Sequence, residues 1–395
     1  MTEWKTYKIG DLCKISSSKR IFAKEYKDSG IPFYRGKEII EKQKGNKIST
    51  ELYISQERYD EIRTKHGVPQ KGDMLLTSVG TLGIPYIVQD EVFYFKDGNL
   101  TWFYDFEDLD SRYLYYWLLS PIGKMNIDSK AIGSTQKALT IETLSKFELS
   151  LPPLPEQRRI ADILSAIDDK IENNRCINAN LELQAQALYK QWFVDNRKDD
   201  WEEKQLGEIA LHITDGVHNT VIDSPNGEYY LLSCKNIKSG QLFIGSNERR
   251  IDHETFTKLR KRTRLSHGDI LVTSVGTVGE MYLVNESPSN YEFQRSVAII
   301  KPNNDIISSY FLYAALLYQQ NEIKHLAHGA VQQCIFISDL KEYSLIVPNK
   351  DDISAFDAVV APMFNKIEEL QKENETLATL RDTLLPKLMN GEIKL

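Results

Sequence analysis

Lys71–Gly83 reads KGDMLLTSVGTLG, and His267–Gly279 reads HGDILVTSVGTVG, 196 residues later. The offset recurs on either side of this stretch. GSTQKALTIETLSKFELSLPP from Gly133 returns as GAVQQCIFISDLKEYSLIVPN from Gly329. WKTYKIGDL from Trp4 returns as WEEKQLGEI from Trp201, and GKEI from Gly36 returns more loosely as CKNI from Cys234. Ordered matches at a nearly constant offset mean that one module has been duplicated, so the fold question becomes that of one module written twice.

Within a module the strand signals are short and rich in β-branched and aromatic residues. They are DMLLTSV, GIPYIVQ and LTWFYDF in the first copy, and DILVTSV, GEMYLVN and SVAIIKP in the second. Gly80 and Gly83, like Gly276 and Gly279, punctuate a tight turn after the first strand. DSRYLYYWLLS from Asp110 and ISSYFLYAALLYQQ from Ile307 carry the aromatic and aliphatic face of a packed helix. Each module is therefore expected to be α+β, not a nucleotide-binding βαβ array.

A longer helix follows each module. From Glu156, the residues Ile160, Leu164, Ile167, Ile171, Asn174, Asn178, Leu181, Ala185, Leu188 and Trp192 step by alternating fours and threes. At the same offset stand Phe356, Val360, Met363, Ile367, Leu370, Asn374, Leu377, Arg381, Leu384 and Leu388. Two such ladders predict a coiled-coil seam. Prolines 152, 153, 155 and 348 flank the helix starts, and Pro386 is expected to kink or end the second helix. Twofold closure of a duplicated chain makes the pair antiparallel, and a helix of about 40 residues spans roughly 60 Å. Asn178 and Asn374 hold matching seam positions; either they face each other through a buried hydrogen bond or they lie on the rim and bind water.

The chain has 395 residues, 41% hydrophobic and 27% charged, which suits two globular modules with connecting helices. No apolar run approaches the roughly eighteen residues that cross a bilayer, and MTEWKTYKIGDL lacks the apolar core of a signal peptide. Cys13, Cys176, Cys234 and Cys334 lie far apart, as expected of reduced thiols in a cytoplasm. The net charge of −7 speaks against a phosphate-binding surface. By segment, however, residues 1–150 carry +1, residues 151–200 carry −2, and residues 201–347 and 348–395 carry −3 each. Much of the acid excess falls on the expected helices, and charge alone decides nothing.

Catalytic signatures are missing. The one Pro-Pro pair, Pro152–Pro153, is preceded by Leu151 and followed by Leu154, unlike the Asn/Asp-Pro-Pro-aromatic motif of a DNA methylase. There is no GxxxxGK[ST] loop for ATP. Glu25–Lys27, Glu202–Lys204 and Glu322–Lys324 match a metal-nuclease triplet that charged chains produce by chance, and Ser16 with Lys19 lacks the companion motifs of a serine acyl-enzyme. His325 and His328 have no carboxylate-rich companion, so no metal site is expected. The chain is expected to carry no catalytic residues of its own.

The run LPPLPEQRRIADILSAIDDKIENNRCINANLELQAQALYKQWFVDN, residues 151–196, closely resembles the central region of type I restriction–modification specificity subunits. LATLRDTLLPKLMNGEI from Leu377 resembles their C-terminal region, and the module openings and TSVGT segments resemble their target-recognition domains. The second helix departs from the first, since the opening that contains EQRRIA becomes PNKDDISAFDAV. The resemblance implies an α+β chain with two target-recognition domains, 1–152 and 197–348. They are separated by an antiparallel two-helix coiled coil formed by the conserved helices 153–196 and 349–395. It implies a non-catalytic subunit that reads a bipartite, asymmetric target in double-stranded DNA, one half-site per domain, with the coiled coil as a ruler. It further implies docking of two methyltransferase subunits and of restriction (translocase–nuclease) subunits, with SAM, Mg and ATP residing in those partners. The competing expectation is a coiled-coil scaffold without a DNA-reading role, which salt-sensitive DNA binding would separate from the first.

Segments common to both copies should shape the fold or touch the DNA backbone, whereas base choice should lie where the copies diverge. The first copy offers Lys19 and Arg20 in SSSKR, and Arg35 and Lys37 in YRGK. The second offers His218 and Asn219 in DGVHNT, Lys235 and Asn236, Arg262 and Arg264 in KLRKRTR, and Gln294 with Arg295. Arg can grip guanine with two hydrogen bonds and Asn or Gln adenine, while Lys holds phosphate. Ser78, Thr81, Ser274 and Thr277 stand beside their glycines as phosphate donors, and Gln136 and Gln332 are expected to make a shared structural hydrogen bond.

Overall fold

The computed structural model describes residues 4–43, 45, 48, 51–133, 137–245, 247–329, 333–393 and 395. Gln136 and Gln332 lie outside them. The chain forms two compact units, Met1–Glu172 with Glu375–Leu395, and Asn173–Asn374.

In the first unit a four-stranded antiparallel sheet has the order Lys14–Ser16, Leu100–Tyr104, Met74–Thr77, Pro85–Ile87. Its central strand, Met74–Thr77, is buried along its whole length. Met74 and Leu76 face a core of Phe103, Tyr113, Leu114 and Trp117, whereas Leu75 faces Trp102, Phe33 and Phe95. Burial on both faces explains why DMLLTSV lacks the apolar–polar alternation of a half-exposed strand. The helix Ser111–Leu119 covers the first face; Asp110 starts it by accepting from the backbone N–H groups of Arg112 and Tyr113. A small mixed sheet, Tyr53–Ile54, Ile31–Tyr34, Tyr94–Phe95, supplies the aromatic second face.

The second unit repeats this plan. Its four-stranded sheet runs Ala210–Asp215, Val297–Pro302, Ile270–Thr273, Met281–Leu283, and its three-stranded sheet runs Arg250–Ile251, Tyr229–Leu232, Tyr291–Phe293. Ile270 and Val272 face one core and Leu271 the other, as in the first unit. The duplication read from the sequence is thus a duplication of strand order and of which side chain faces which layer.

The central helix spans Leu154–Tyr189 and the C-terminal helix Lys350–Met389. Within each unit their segments run antiparallel. In the first, Ile160 and Leu164 join Leu385 and Leu388 in one core, and Arg381 pairs with Asp168 at 2.8 Å. In the second, Ala185 and Tyr189 share a core with Phe356 and Val360. Ile167, Ile171, Ile367 and Leu370 are also buried, whereas Leu181, Met363, Asn374 and Leu377 are half-buried. The helix continues through Pro386 and ends three residues later, at Met389. Its interior also contains Pro362; buried Val360, Phe364 and Ile367 on either side hold the helix against the core. Gln157, buried at the start of the central helix, binds Asp108 O, Pro152 O and Asp110 N, each at 3.0 Å. Buried Ile353 stands at its counterpart, so the loss of PEQRRIA from the second copy exchanges a polar staple for an apolar one.

Asn178 neither faces Asn374 nor lies on the rim. Asn374 Oδ1 accepts from Asn174 Nδ2 at 2.9 Å, and Glu373 accepts from the same amide at 2.8 Å. In an antiparallel pair, four residues forward on one helix is four back on the other, so Asn178 comes level with Leu370 rather than Asn374. Asn178 is 2% exposed, and neither amide atom has a partner among the described residues. An unpaired buried amide costs about 1–3 kcal/mol. Asn178→Leu is therefore expected to raise stability by that order in a thermal melt; a lowered Tm would mean that bound water satisfies the amide.

Candidate nucleic-acid interface

The TSVGT turn is stitched identically in both units. The Thr77 hydroxyl accepts from Ile84 N at 2.9 Å and that of Thr273 from Glu280 N at 2.8 Å. Gly83 N reaches Thr77 O, and Gly279 N reaches Thr273 O, both at 2.8 Å. The turn glycines adopt positive φ, 81° at Gly80 and 85° at Gly276, a conformation that other residues reach only at a cost. Ser78 and Ser274 are buried and engaged internally, Ser78 with the Thr101 hydroxyl at 2.6 Å and Ser274 with Arg295 O at 3.3 Å. Burial removes these two serines from contact with a macromolecular ligand, while Thr81 and Thr277 stand exposed at the turn.

Around this turn the chain gathers its divergent loops. In the first unit Ser78 N binds Asn99 O at 2.8 Å, Lys96 N binds Tyr34 O at 2.8 Å and Gly98 N binds the Ser17 hydroxyl at 3.3 Å. SSSKR, YRGK, TSVGT and KDGN therefore share one end of the unit. Lys19 is exposed, with its backbone N–H on the Tyr94 hydroxyl at 2.6 Å, and Arg20 pairs with Asp97 at 2.7 Å. Arg35 forks onto the buried carboxylate of Glu38, and Lys37 is exposed, 4.0 Å from Glu41. Burial pushes the Glu38 carboxyl up, but the Arg35 hydrogen bonds and charge outweigh it and hold the group below its ordinary range.

The second unit gathers the corresponding loops. Gln294 N binds Leu232 O at 2.8 Å, Arg295 N binds Val217 O at 3.0 Å and Ser274 N binds Ser296 O at 2.9 Å. DGVHNT can lie this close because Gly216 has no side chain: a Cβ there would meet Phe293 O at 2.1 Å. His218 Nε2 lies 2.6 Å from Asp215 Oδ2, and Arg262 donates to the Asp215 carbonyl at 2.7 Å. Asn219 and Arg295 are exposed, and Gln294 is half-buried. Lys235 is exposed and pairs with Glu248 at 3.0 Å. Asn236 is buried, accepting from Ser233 N at 2.9 Å and donating to Phe243 O at 2.8 Å, so its amide is spent on the turn. The helix His253–Thr263 exposes Lys258, Lys261 and Arg262 and ends at Arg264 in left-handed backbone, φ 51°.

Several contributors escaped the sequence reading: Glu38, Lys96, Asp97, Asp215, Lys258 and Lys261. Setting Lys96–Asp97 against Gln294–Arg295, which directly follow the equivalent strands Tyr94–Phe95 and Tyr291–Phe293, would have found both. The acids have no such signal, because a carboxylate that orients an arginine reads as a surface charge until its burial is known.

Two copies of one α+β module, each with its variable cationic and amide side chains gathered around a common turn, define a duplicated recognition protein. The family model for the type I restriction modification DNA specificity domain matches residues 1–183 and again 198–377, and the chain belongs to that family. It is 27% identical to the type I restriction enzyme MjaIX specificity subunit of Methanocaldococcus jannaschii, over 99% of this chain and 94% of that protein. It is 26% identical to the EcoBI specificity subunit of Escherichia coli, over 72% of this chain and 66% of that one. Its fold is similar to the crystal structure of a type I restriction–modification S subunit from M. genitalium, with a TM-score of 0.58 at 19% identity, covering 98% of this chain and 96% of that one.

Proposed function

We propose that this chain is the DNA specificity subunit of a type I restriction–modification enzyme, with residues 1–152 and 197–348 each reading one half of a bipartite target. The observation that carries the reading is the doubled specificity-domain match together with the placement of the divergent side chains. Framework contacts recur around the TSVGT turn in both units, while the loops beside it differ, as two different half-sites require. Lys19, Lys37, Lys235, Thr81 and Thr277 suit phosphate contacts, and Arg20, His218, Asn219, Arg262, Arg264, Gln294 and Arg295 suit base edges or the sugar–phosphate backbone. Chemistry belongs to partners: two methyltransferase subunits bringing SAM, and restriction subunits using ATP and Mg. The chain itself contributes no catalytic group.

The reading is tested by co-expressing the chain with its methyltransferase subunit in an unmethylated host and mapping methyladenine by long-read sequencing. A single bipartite motif with a fixed gap is expected. Exchanging residues 197–348 for the corresponding module of a relative should then replace one half of that motif completely and leave the other unchanged. Assembly without new methylation or salt-sensitive DNA binding would favour the scaffold instead.

A further inference from the structure

We infer that Arg35 reads a guanine in the half-site bound by the first module and that Glu38 is its positioning residue; the inference rests on the DNA-reading assignment above. The duplication provides an internal control. Arg35 occupies the place of Ser233, and Glu38 that of Asn236. In both modules the first residue's backbone N–H donates to the second residue's side chain, at 2.8 Å from Arg35 and 2.9 Å from Ser233. The turn therefore forms with a serine at the first position, and the guanidinium is surplus to what the fold requires.

Its surroundings give that guanidinium one orientation. Nε donates to Glu38 Oε2 at 3.1 Å and Nη2 to Oε1 at 2.6 Å. The Glu38 side chain is wholly buried, while that of Arg35 is 31% exposed. With the Nε–Nη2 edge held, the remaining edge presents the N–H groups of Nη1, which has no partner among the described residues, and the second N–H of Nη2. Two parallel donors on a rigid plane match O6 and N7 of guanine in the major groove. Arg35 also borders the turn that gathers the variable loops, since the next residue, Gly36, would bring a Cβ within 3.9 Å of Thr77 Cγ2.

Charge separates reading from gripping. Glu38 neutralises Arg35, so the pair adds little to counterion release on a phosphate backbone. Arg20, 68% exposed and tied to Asp97 through Nε, lacks this rigidity.

The experiment maps methyladenine for the full chain co-expressed with its methyltransferase subunit, as wild type and as Arg35→Ala, Arg35→Lys and Glu38→Gln. The wild-type motif should contain a G·C pair in one half-site at which Arg35→Ala and Arg35→Lys lose discrimination by about ten- to a hundredfold, with the other half unchanged. Glu38→Gln should relax the same position and steepen the salt dependence of DNA binding, because the guanidinium charge is then uncompensated; a merely structural role would lower methylation of every site alike. If Arg35→Ala does not assemble, Arg35→Lys decides. An unchanged motif in Arg35→Lys, or relaxation confined to a pair other than G·C, overturns the inference while leaving the DNA-reading assignment intact. Absence of any bipartite motif in the wild type overturns both.

Discussion

Arg260→Met is expected to destabilise the second unit by about 3–5 kcal/mol at pH 8, lowering its Tm by roughly 10 °C. Arg260 Nε and Glu292 form an ion pair whose carboxylate is wholly buried, and Arg260 Nη2 donates to Tyr291 O at 2.8 Å. The Thr263 hydroxyl faces the same carboxylate, 3.1 and 3.0 Å from its two oxygens. Burial raises the Glu292 carboxyl above its ordinary range, and Arg260 with Thr263 pulls it only part of the way back. Removing Arg260 leaves that desolvation almost unopposed. A raised carboxyl in the folded state penalises folding once the group must ionise, so the penalty is absent below the ordinary glutamate range and grows as pH rises. The loss in Arg260→Met should therefore shrink markedly from pH 8 to pH 5. Adding Glu292→Gln should restore much of the stability and flatten the pH dependence, since the cost lies in the unpaired charge rather than in the lost pair. Melts of the wild type, Arg260→Met, Glu292→Gln and the double variant at two pH values check this; a pH-independent loss would mean that Arg260 acts through its packing over the Phe256 ring, 4.9 Å away. The functional consequence is local, because the pair anchors the helix that exposes Lys258, Lys261 and Arg262.

The sequence made this architecture legible where the two copies repeat a physical requirement. TSVGT needs glycine at positive φ and a threonine hydroxyl to close its turn, so both survive in each copy. The strands before and after it are buried on both faces, so they read as continuous apolar runs. What the sequence could not convey is which polar groups meet. Ser78, Ser274 and Asn236 look like surface donors in a turn-rich segment, yet they are consumed inside, whereas Glu38 and Glu292 look like surface acids and are wholly buried. Register was out of reach for a related reason. A seven-residue ladder fixes which side chains face inward, but an antiparallel partner can slide by one rung without changing any of them, so Asn174 and Asn178 were equally good partners for Asn374. Pro362 shows the converse: helix propensity counts against it, yet the apolar ladder runs through it and packing on both sides overrides propensity.

The same distinction between inward and outward rungs sets the second large effect. Leu164→Asp is expected to unfold the first unit, because Leu164 is wholly buried beside Ile160, Tyr113 and Leu388. Losing a buried leucine side chain forfeits about 2–5 kcal/mol, and placing a carboxylate in the same apolar site adds several more. The sum approaches the 5–15 kcal/mol that holds a domain together. Ile163→Asp, one residue away on the same helix, should change stability by less than about 0.5 kcal/mol, since Ile163 is 37% exposed. Comparing these two variants by circular dichroism and by methylation on co-expression separates folding from partner binding. If Leu164→Asp melts like the wild type, the assignment of the ladder to the buried face is wrong. If Ile163→Asp folds normally but abolishes methylation, the outward face of the central helix is where a partner subunit sits.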